Sequence, residues 1–209
     1  MEASSIPQPV IHRLPKYLVH IQELREDGVA WASSQDIADA LGLTPSTVRQ
    51  DLSHIDLRGI SKKGYETSQL EAELRLVLGA DIRHRVVIVG AGHLGRSLAM
   101  HGAFPQRGFE ICCLFDKDPS VVGRKFGTVD VMSIDSMGEV ARDKKIDIGL
   151  IAVPSHAAQE VADALVAVGI RAILNLAYKH IQVPEGVHVV DARIMESLQE
   201  LAFALRNDG

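Results

Sequence analysis

The residues best suited to chemistry stand in one short run, GAGHLG at positions 90–95. Gly90 permits a tight turn, Gly92 lets the backbone approach a bound group, and Gly95 lets a helix lie close on a strand. A loop of this kind holds a pyrophosphate. The helix that opens behind it directs unpaired N–H groups, and the positive end of its dipole, at negative oxygens. Gly90, Ala91, Gly92, His93, Leu94 and Gly95 are therefore candidate cofactor contacts. Asp116 adds a second signal, because it closes the apolar run Glu110–Phe115 about where a dinucleotide-binding domain holds the ribose 2′-hydroxyl. A carboxylate there repels a 2′-phosphate and favours NAD(H) over NADP(H), an inference that the neighbouring Lys117 softens. Val153, Pro154, Asn175 and Ala177 end two later apolar runs. Ligands bind beyond the carboxyl ends of parallel strands, so these four either border the nicotinamide or are simple strand-end punctuation.

A second constellation lies upstream, in QDIADALGLTPSTVRQDL at positions 35–52. Ala38, Gly42 and Val48 stand at the spacing of a helix-turn-helix. There a small residue lets the helices approach, a glycine turns the chain, and a branched residue packs the second helix back. The second helix then projects Ser46, Thr47, Arg49, Gln50 and Ser53. Arg49 can bond guanine bidentately and Gln50 adenine, while the hydroxyls suit phosphates. Lys62 and Lys63, in ISKKGY, would meet phosphates or an A·T-rich minor groove. The plainer reading is a small helical bundle used only for dimer packing.

The elements that must position these residues follow from the hydrophobic pattern. Leu14, Leu18, Ile21 and Leu24 mark a first helix with Pro15 near its start or at a kink, and Ser33 or Ser34 caps a helix through Leu41 that Gly42 ends. Thr44 as cap and Pro45 at the first position start the reading helix, which is expected to run to about Leu57. ISKKGY suits a β-hairpin wing. Ser68 with Glu71 has the spacing of a capping box for a connecting helix. Beyond residue 80, short Val/Ile-rich runs alternate with helical ones, which is the βαβ pattern of a parallel sheet. The strands are expected at Val86–Val89, Glu110–Phe115, Thr128–Met132, Ile146–Val153 and Ile170–Leu176, with a helix over His156–Val168 between the last two.

At the end, Ile194, Leu198, Leu201, Ala202 and Leu205 form one stripe of a helix over Ala192–Arg206. That face must be buried on its own domain or on a partner subunit. Since helix-turn-helix readers commonly work as dimers, a swap onto the partner is the expectation. The fold class is thus α/β. It has an N-terminal winged-helix domain at 1–79, a Rossmann domain at 80–191, and a C-terminal dimerisation helix at 192–209.

Composition bounds the function. The chain has 209 residues, 46% hydrophobic and 23% charged, with a net charge of −5. No run is long and apolar enough for a membrane span, and MEASSIPQPV lacks the pattern of a signal peptide, so a cytoplasmic protein is expected. The weak overall field implies modest non-specific DNA affinity; within residues 1–79, which are net negative, the stretch 45–65 reverses the sign. Cys112 and Cys113 sit in an apolar run, read as core strand, and no metal site is expected. About thirty residues follow position 177, too few for a substrate domain. No acid–base pair is credibly placed for hydride chemistry, and His93 and His101 flank the cofactor helix as bystanders. A cofactor bound as a signal fits better than a dehydrogenase-like enzyme, which is the competing reading.

Assembled, the segments IPQPVIHRLPKYL, SSQDIADALGLTPSTVRQDLSHI, GISKKGY, VVIVGAGHLGRSLA, FDKDPSVVGRK, IAVPSHAAQEVADALVAVGIRAILNLA, VPEGVHV and SLQELAF resemble, nearly end to end, the Rex family of redox-sensing repressors. The resemblance implies a homodimer with swapped C-terminal helices on an A·T-rich inverted-repeat operator in double-stranded DNA. NADH would release the operator, and NAD⁺ would compete without releasing it as well. Some positions depart from the family. Arg49-Gln50 stands where two basic residues are usual, and Ile60-Ser61-Lys62 where the wing reads Lys-Arg-Gly. His101 replaces a Tyr, Tyr178 a Pro, and Arg193 the Asp that opens the swapped helix. In the family that Asp pairs with an Arg matched here by Arg13, which leaves Asp191 as the nearest carboxylate. Arg13, His101, Tyr178, Asp191 and Arg193 are the candidate coupling residues, and loose coupling of cofactor to DNA release is expected.

Overall fold

A computed structural model describes residues 6–207; residues 1–5 and 208–209, the ends of the first and last expected segments and part of the signal-peptide reading, lie outside the described residues. The chain divides into two compact units, one ending at Ile82 and the other beginning at Arg83.

The first unit runs α1 (Gln8–Ile11), α2 (Leu14–Glu26), β1 (Trp31–Ala32), α3 (Ser34–Leu41), α4 (Pro45–Leu52), β2 (Tyr65–Glu66) and α5 (Thr67–Val77). Ser33 caps α3 in a reciprocal box with Asp36, and Thr44 caps α4 with Pro45 behind it. The core is one cluster: Leu14, Tyr17 and Ile21 from α2 meet Ile37, Ala38, Val48, Leu52, Leu70 and Leu74. Burying such a face is what makes helices this short stable, since isolated ones are marginal in water.

Three local elements differ from expectation. The reading helix ends at Leu52 rather than near Leu57, because His54 and Ile55 bond three residues back and the Ser53 hydroxyl donates to the Gln50 carbonyl. The wing is not a hairpin of paired strands but a tight turn closed by a single bridge, Ile60 to Gly64, beside the two-stranded pair β1–β2. Ser68 and Glu71 form no capping box. Helix α5 starts at Thr67, and Glu71 instead accepts from Arg25 and Gln22 of α2, cross-linking the two helices.

The second unit continues with β3 (His84–Val89), α6 (His93–Ala99), α7 (Ala103–Gln106), β4 (Phe109–Asp116), β5 (Lys125–Phe126), β6 (Val129–Ser133), α8 (Met137–Lys144), β7 (Ile148–Ile151), α9 (Ala158–Ala167), β8 (Ala172–Asn175), β9 (His188–Asp191) and α10 (Ile194–Asn207). Among the described residues the sheet is ordered β5-β6-β4-β3-β7-β8-β9, parallel except for the short edge strand β5. Val86 and Ile88 bury against one face, Val87 and Val89 against the other. A strand covered on both sides reads as an unbroken apolar run, as VVIV does. Strand order reverses between β3 and β7, the switch point at which open α/β sheets take ligands.

β7, β8 and α9 are each shorter than expected, and α7, β5, β9 and α8 complete the unit beyond the expected elements. At β7, Ile146 is held by the Ala141 carbonyl and the Asp147 carboxylate accepts from the Arg85 N–H, so neither residue enters the strand. Cys113 is fully buried and its thiol is pushed up to about 12 by burial. Cys112 sits where the β3–β4 register slips between Val86 and Val87.

Candidate functional site

Gly90 turns out of β3 with φ +110°, a conformation L side chains avoid, and a Cβ there would meet the Ala152 backbone. Gly95 lies against the Gly90 carbonyl, closer than any side chain allows. Above Gly92 nothing stands within 4 Å, which leaves the loop open where a phosphate would approach. Asp116 is fixed at the end of β4. One of its oxygens accepts from the Ala91 N–H at 2.7 Å and the other from the Asp118 N–H at 2.9 Å. The Ala91 carbonyl accepts from Arg96, so the peptides on both sides of Ala91 are held.

A cavity of about 280 Å³ lies beside this loop at the switch point. Of the candidate cofactor contacts, Gly90, Gly92, Asp116, Lys117, Val153 and Pro154 line it. Phe115, Ile134, His156, Ala157, Glu160 and Val161 line it too and were not foreseen. The last four belong to the turn before α9 and its first two turns. Their amphipathic spacing was visible, but not which strand end the helix overhangs. Apolar walls with an acid and a base at the rim suit a flat heterocycle joined to a ribose.

The remaining expected contacts fall elsewhere. His93 and Leu94 are exposed at the start of α6. Asn175 and Ala177 are buried. The Asn175 amide donates to the Lys179 carbonyl and to Asp191, and accepts from the Ala177 N–H, shaping the strand end rather than lining the cavity. Leu94 lines a different groove with Tyr178, Asp191 and Arg193, next to the start of α10. There Arg193 is paired with Asp191 and Glu196, each at 2.9 Å. His101 is not in that groove. Its ring meets Phe104 edge-on and its Nδ1 accepts from the Ala103 N–H.

In the first unit, α4 turns Val48, Asp51 and Leu52 inward and leaves Ser46, Arg49, Gln50 and Ser53 exposed, with Thr47 half-buried. The rotation is set by Asp51, 2% exposed. Its carboxylate accepts from Arg13 Nε at 2.6 Å, Arg13 Nη2 at 2.8 Å and the Tyr17 hydroxyl at 2.5 Å. Burial pushes Asp51 up, but the bonds from Arg13 and Tyr17 outweigh it and hold the carboxyl below the usual range. Arg13 is thus already paired within its own unit, as Arg193 is within the other.

Arg49 donates to the Ser34 hydroxyl at 3.0 Å and shares a concavity of about 380 Å³ with Lys62 on the wing. Lys63 points away from it, its ammonium 3.6 Å from the centre of the Trp31 ring. The stripe on α10 is bare: Ile194, Leu198, Leu201 and Leu205 are 51–76% exposed. Packing on its own domain, one of the two sequence alternatives, is therefore not what the structure adopts. Among the described residues no helix is long and apolar enough to cross a membrane, and no group of His, Cys, Asp and Glu is disposed to hold a metal.

Comparison with known proteins adds to this geometry. Residues 5–53 match a family described as "Putative DNA-binding protein N-terminus", and residues 81–178 one described as "CoA binding domain". A relative from Clostridium beijerinckii, named redox-sensing transcriptional repressor Rex, is 38% identical over 96% of this chain and 95% of its own. A Rex-family repressor, RSP, solved with β-NAD⁺ and operator DNA, superposes with a TM-score of 0.91 at 33% identity, covering 98% of this chain and 94% of that one. The same repressor with β-NADH gives 0.89 at 33% identity, covering 98% and 96%.

Proposed function

This chain belongs to the Rex family of redox-sensing transcriptional repressors, and from that premise we propose how its two units divide the work. The protein is a DNA-binding repressor that senses the NADH/NAD⁺ ratio. Its winged-helix head holds an inverted-repeat operator, and NADH filling the Rossmann pocket releases it. The observation that carries this reading is the pocket wall itself. An open glycine loop and the Asp116 carboxylate stand side by side at the sheet's switch point, in a chain whose other unit turns Arg49 and Gln50 outward.

On cofactor binding, the Gly90–Gly95 loop takes the pyrophosphate. Asp116 exchanges the Ala91 N–H for the ribose hydroxyls, with Lys117 at the rim. Val153 and Pro154 wall the apolar part, and Asn175 with Ala177 keeps the neighbouring strand end in shape. In the head, Arg49 and Gln50 read bases. Ser46, Thr47, Ser53 and Lys62 hold phosphates, fixing the register without carrying sequence information. The exposed stripe of α10 is covered by a second copy, which makes the repressor a homodimer suited to a two-fold operator. Tyr178, Asp191 and Arg193, where β9 hands over to α10, are the candidate link between pocket and partner. Arg13 and His101 belong to that link only if their present partners are exchanged.

The cofactor is a signal and not a substrate: the full-length relatives are named as repressors, so we read the protein as a sensor rather than an enzyme. It works in the cytoplasm, where operator DNA and the nicotinamide pool meet. Retention of an A·T-rich inverted-repeat duplex by the purified full chain, weakened by NADH, tests the reading. Failure to retain that duplex above a scrambled one defeats it.

A further inference from the structure

We propose that Trp31 is the positioning residue of the wing: its ring holds Lys63, so the two adjacent lysines act differently and Lys62 alone serves the DNA. This rests on the DNA-binding reading above.

The wing turn is fixed on three sides. The Ile60 N–H donates to the Gly64 carbonyl at 2.7 Å, and the Gly64 N–H returns to Ile60 at 2.9 Å. Gly64, at φ +91°, is seated on the backbone of Ala32 and Ser33 so closely that no Cβ fits. The third restraint is the Lys63 ammonium, 3.6 Å over the ring of Trp31, the residue that opens β1. Between them Lys62 adopts the left-handed conformation, φ +63°. That turns it away from Lys63, toward the concavity it shares with Arg49, Ser34 and Tyr65. Sequence alone makes Lys62 and Lys63 interchangeable phosphate contacts; the geometry does not.

A contact present both in the free protein and on DNA adds affinity only by pre-organising the wing, so its effect is bounded by its own strength. An exposed cation–π contact supplies about a two- to fivefold effect. A phosphate contact has a different signature, because each one changes the salt slope by about 0.9.

Affinity of the full-length protein for the inverted-repeat duplex should be measured across salt concentrations, for the wild type, for Lys62→Ala, Lys63→Ala, Trp31→Ala and Trp31→Phe, and for the double variant Trp31→Ala/Lys63→Ala. Lys62→Ala should lower the slope by about one unit. Lys63→Ala and Trp31→Ala should each weaken binding about two- to fivefold with little change of slope, and together cost no more than either alone. Trp31→Phe, which keeps an aromatic face, should stay within about twofold of wild type.

The chain has one tryptophan, so its emission reads the contact directly. Lys63→Ala should change it in the free protein, and duplex should not mimic that change. The proposal is overturned if Lys63→Ala takes about one unit off the slope. It is also overturned if Trp31→Ala tightens binding, which would mean the ring competes with phosphates for Lys63. Emission indifferent to Lys63→Ala overturns it as well. Loss of binding by every protein, wild type included, would instead defeat the DNA-binding reading.

Discussion

Replacing Arg13 by methionine should destabilise the head by about 3–5 kcal/mol, the usual consequence of removing one partner from a buried ion pair. Asp51 is 2% exposed and takes two bonds from Arg13, so the variant leaves its carboxylate with Tyr17 alone. Tyr17→Phe removes one bond to a charged group and should cost less, about 1.5–3 kcal/mol. Arg13→Lys, which keeps the charge but not the fork, should fall between wild type and Arg13→Met.

Urea unfolding followed by Trp31 fluorescence reads the head selectively, because the chain's only tryptophan lies there. With a slope of about 1–3 kcal/mol per molar urea, the midpoint should drop by about 1–5 M. The pH dependence has a definite sign. The folded pKa of Asp51 is depressed, so its contribution is fully present above the unfolded value and is lost as pH falls through the folded one. In Arg13→Met the cation is gone and burial raises the same group. Protonation then relieves the penalty, and the gap to wild type should narrow as pH falls toward 4 or so. A midpoint for Arg13→Met no lower than that of the exposed control Lys16→Met, or a gap that widens in acid, would refute the reasoning.

Arg49→Ala should weaken operator binding by about 1–3 kcal/mol while leaving random-sequence duplex much less affected; an equal loss on both would show that Arg49 reads no base. Wild-type protein should bind NADH more tightly than NADPH by calorimetry, and Asp116→Ala should erase most of that preference. Tighter NADPH binding by the wild type would remove Asp116 from the ribose. Deleting residues 192–209 should shift the protein from dimer to monomer in sedimentation. The α10 stripe carries apolar side chains worth about 1–3 kcal/mol each when fully buried. An unchanged dimer in a folded truncation would assign that face to something else.

The elements that local chemistry dictates were legible in the sequence. Ser33, Thr44 and Pro45 mark helix starts because a cap is a matter of neighbours. VVIV followed by GAGHLG marks the switch-point strand and its loop. Much of what escaped was decided by pairing and packing rather than by residue type. Glu71 has the spacing of a cap, yet Arg25, 46 positions away, takes it. The short edge strand β5 owes its pairing to β6 across a turn, and β9 joins the sheet only by lying beside β8. Asn175 ends its strand as expected, but its amide is engaged by Lys179, Ala177 and Asp191. His156 and Glu160 reach the pocket because α9 and the turn before it lie beside the ends of β3 and β7, which no local pattern encodes. Lys62 and Lys63 are alike as residue types; a left-handed backbone and an aromatic ring separate them.

The most direct test of a cofactor-released repressor is a titration of the full-length protein on its inverted-repeat duplex with NADH, NAD⁺ and NADPH in parallel, pocket occupancy being followed in the same samples. Arg13 and Arg193 each hold a carboxylate of their own unit, so any exchange of these partners between the DNA-bound and cofactor-bound states offsets part of the gain. Operator affinity should therefore fall as NADH fills the pocket, by less than about tenfold, within the lower part of the usual coupling range. NAD⁺ should do less at equal occupancy, and NADPH at the same concentrations should do nothing. Unchanged operator affinity with the pocket full of NADH, or an equal fall with NADPH, would contradict the central claim.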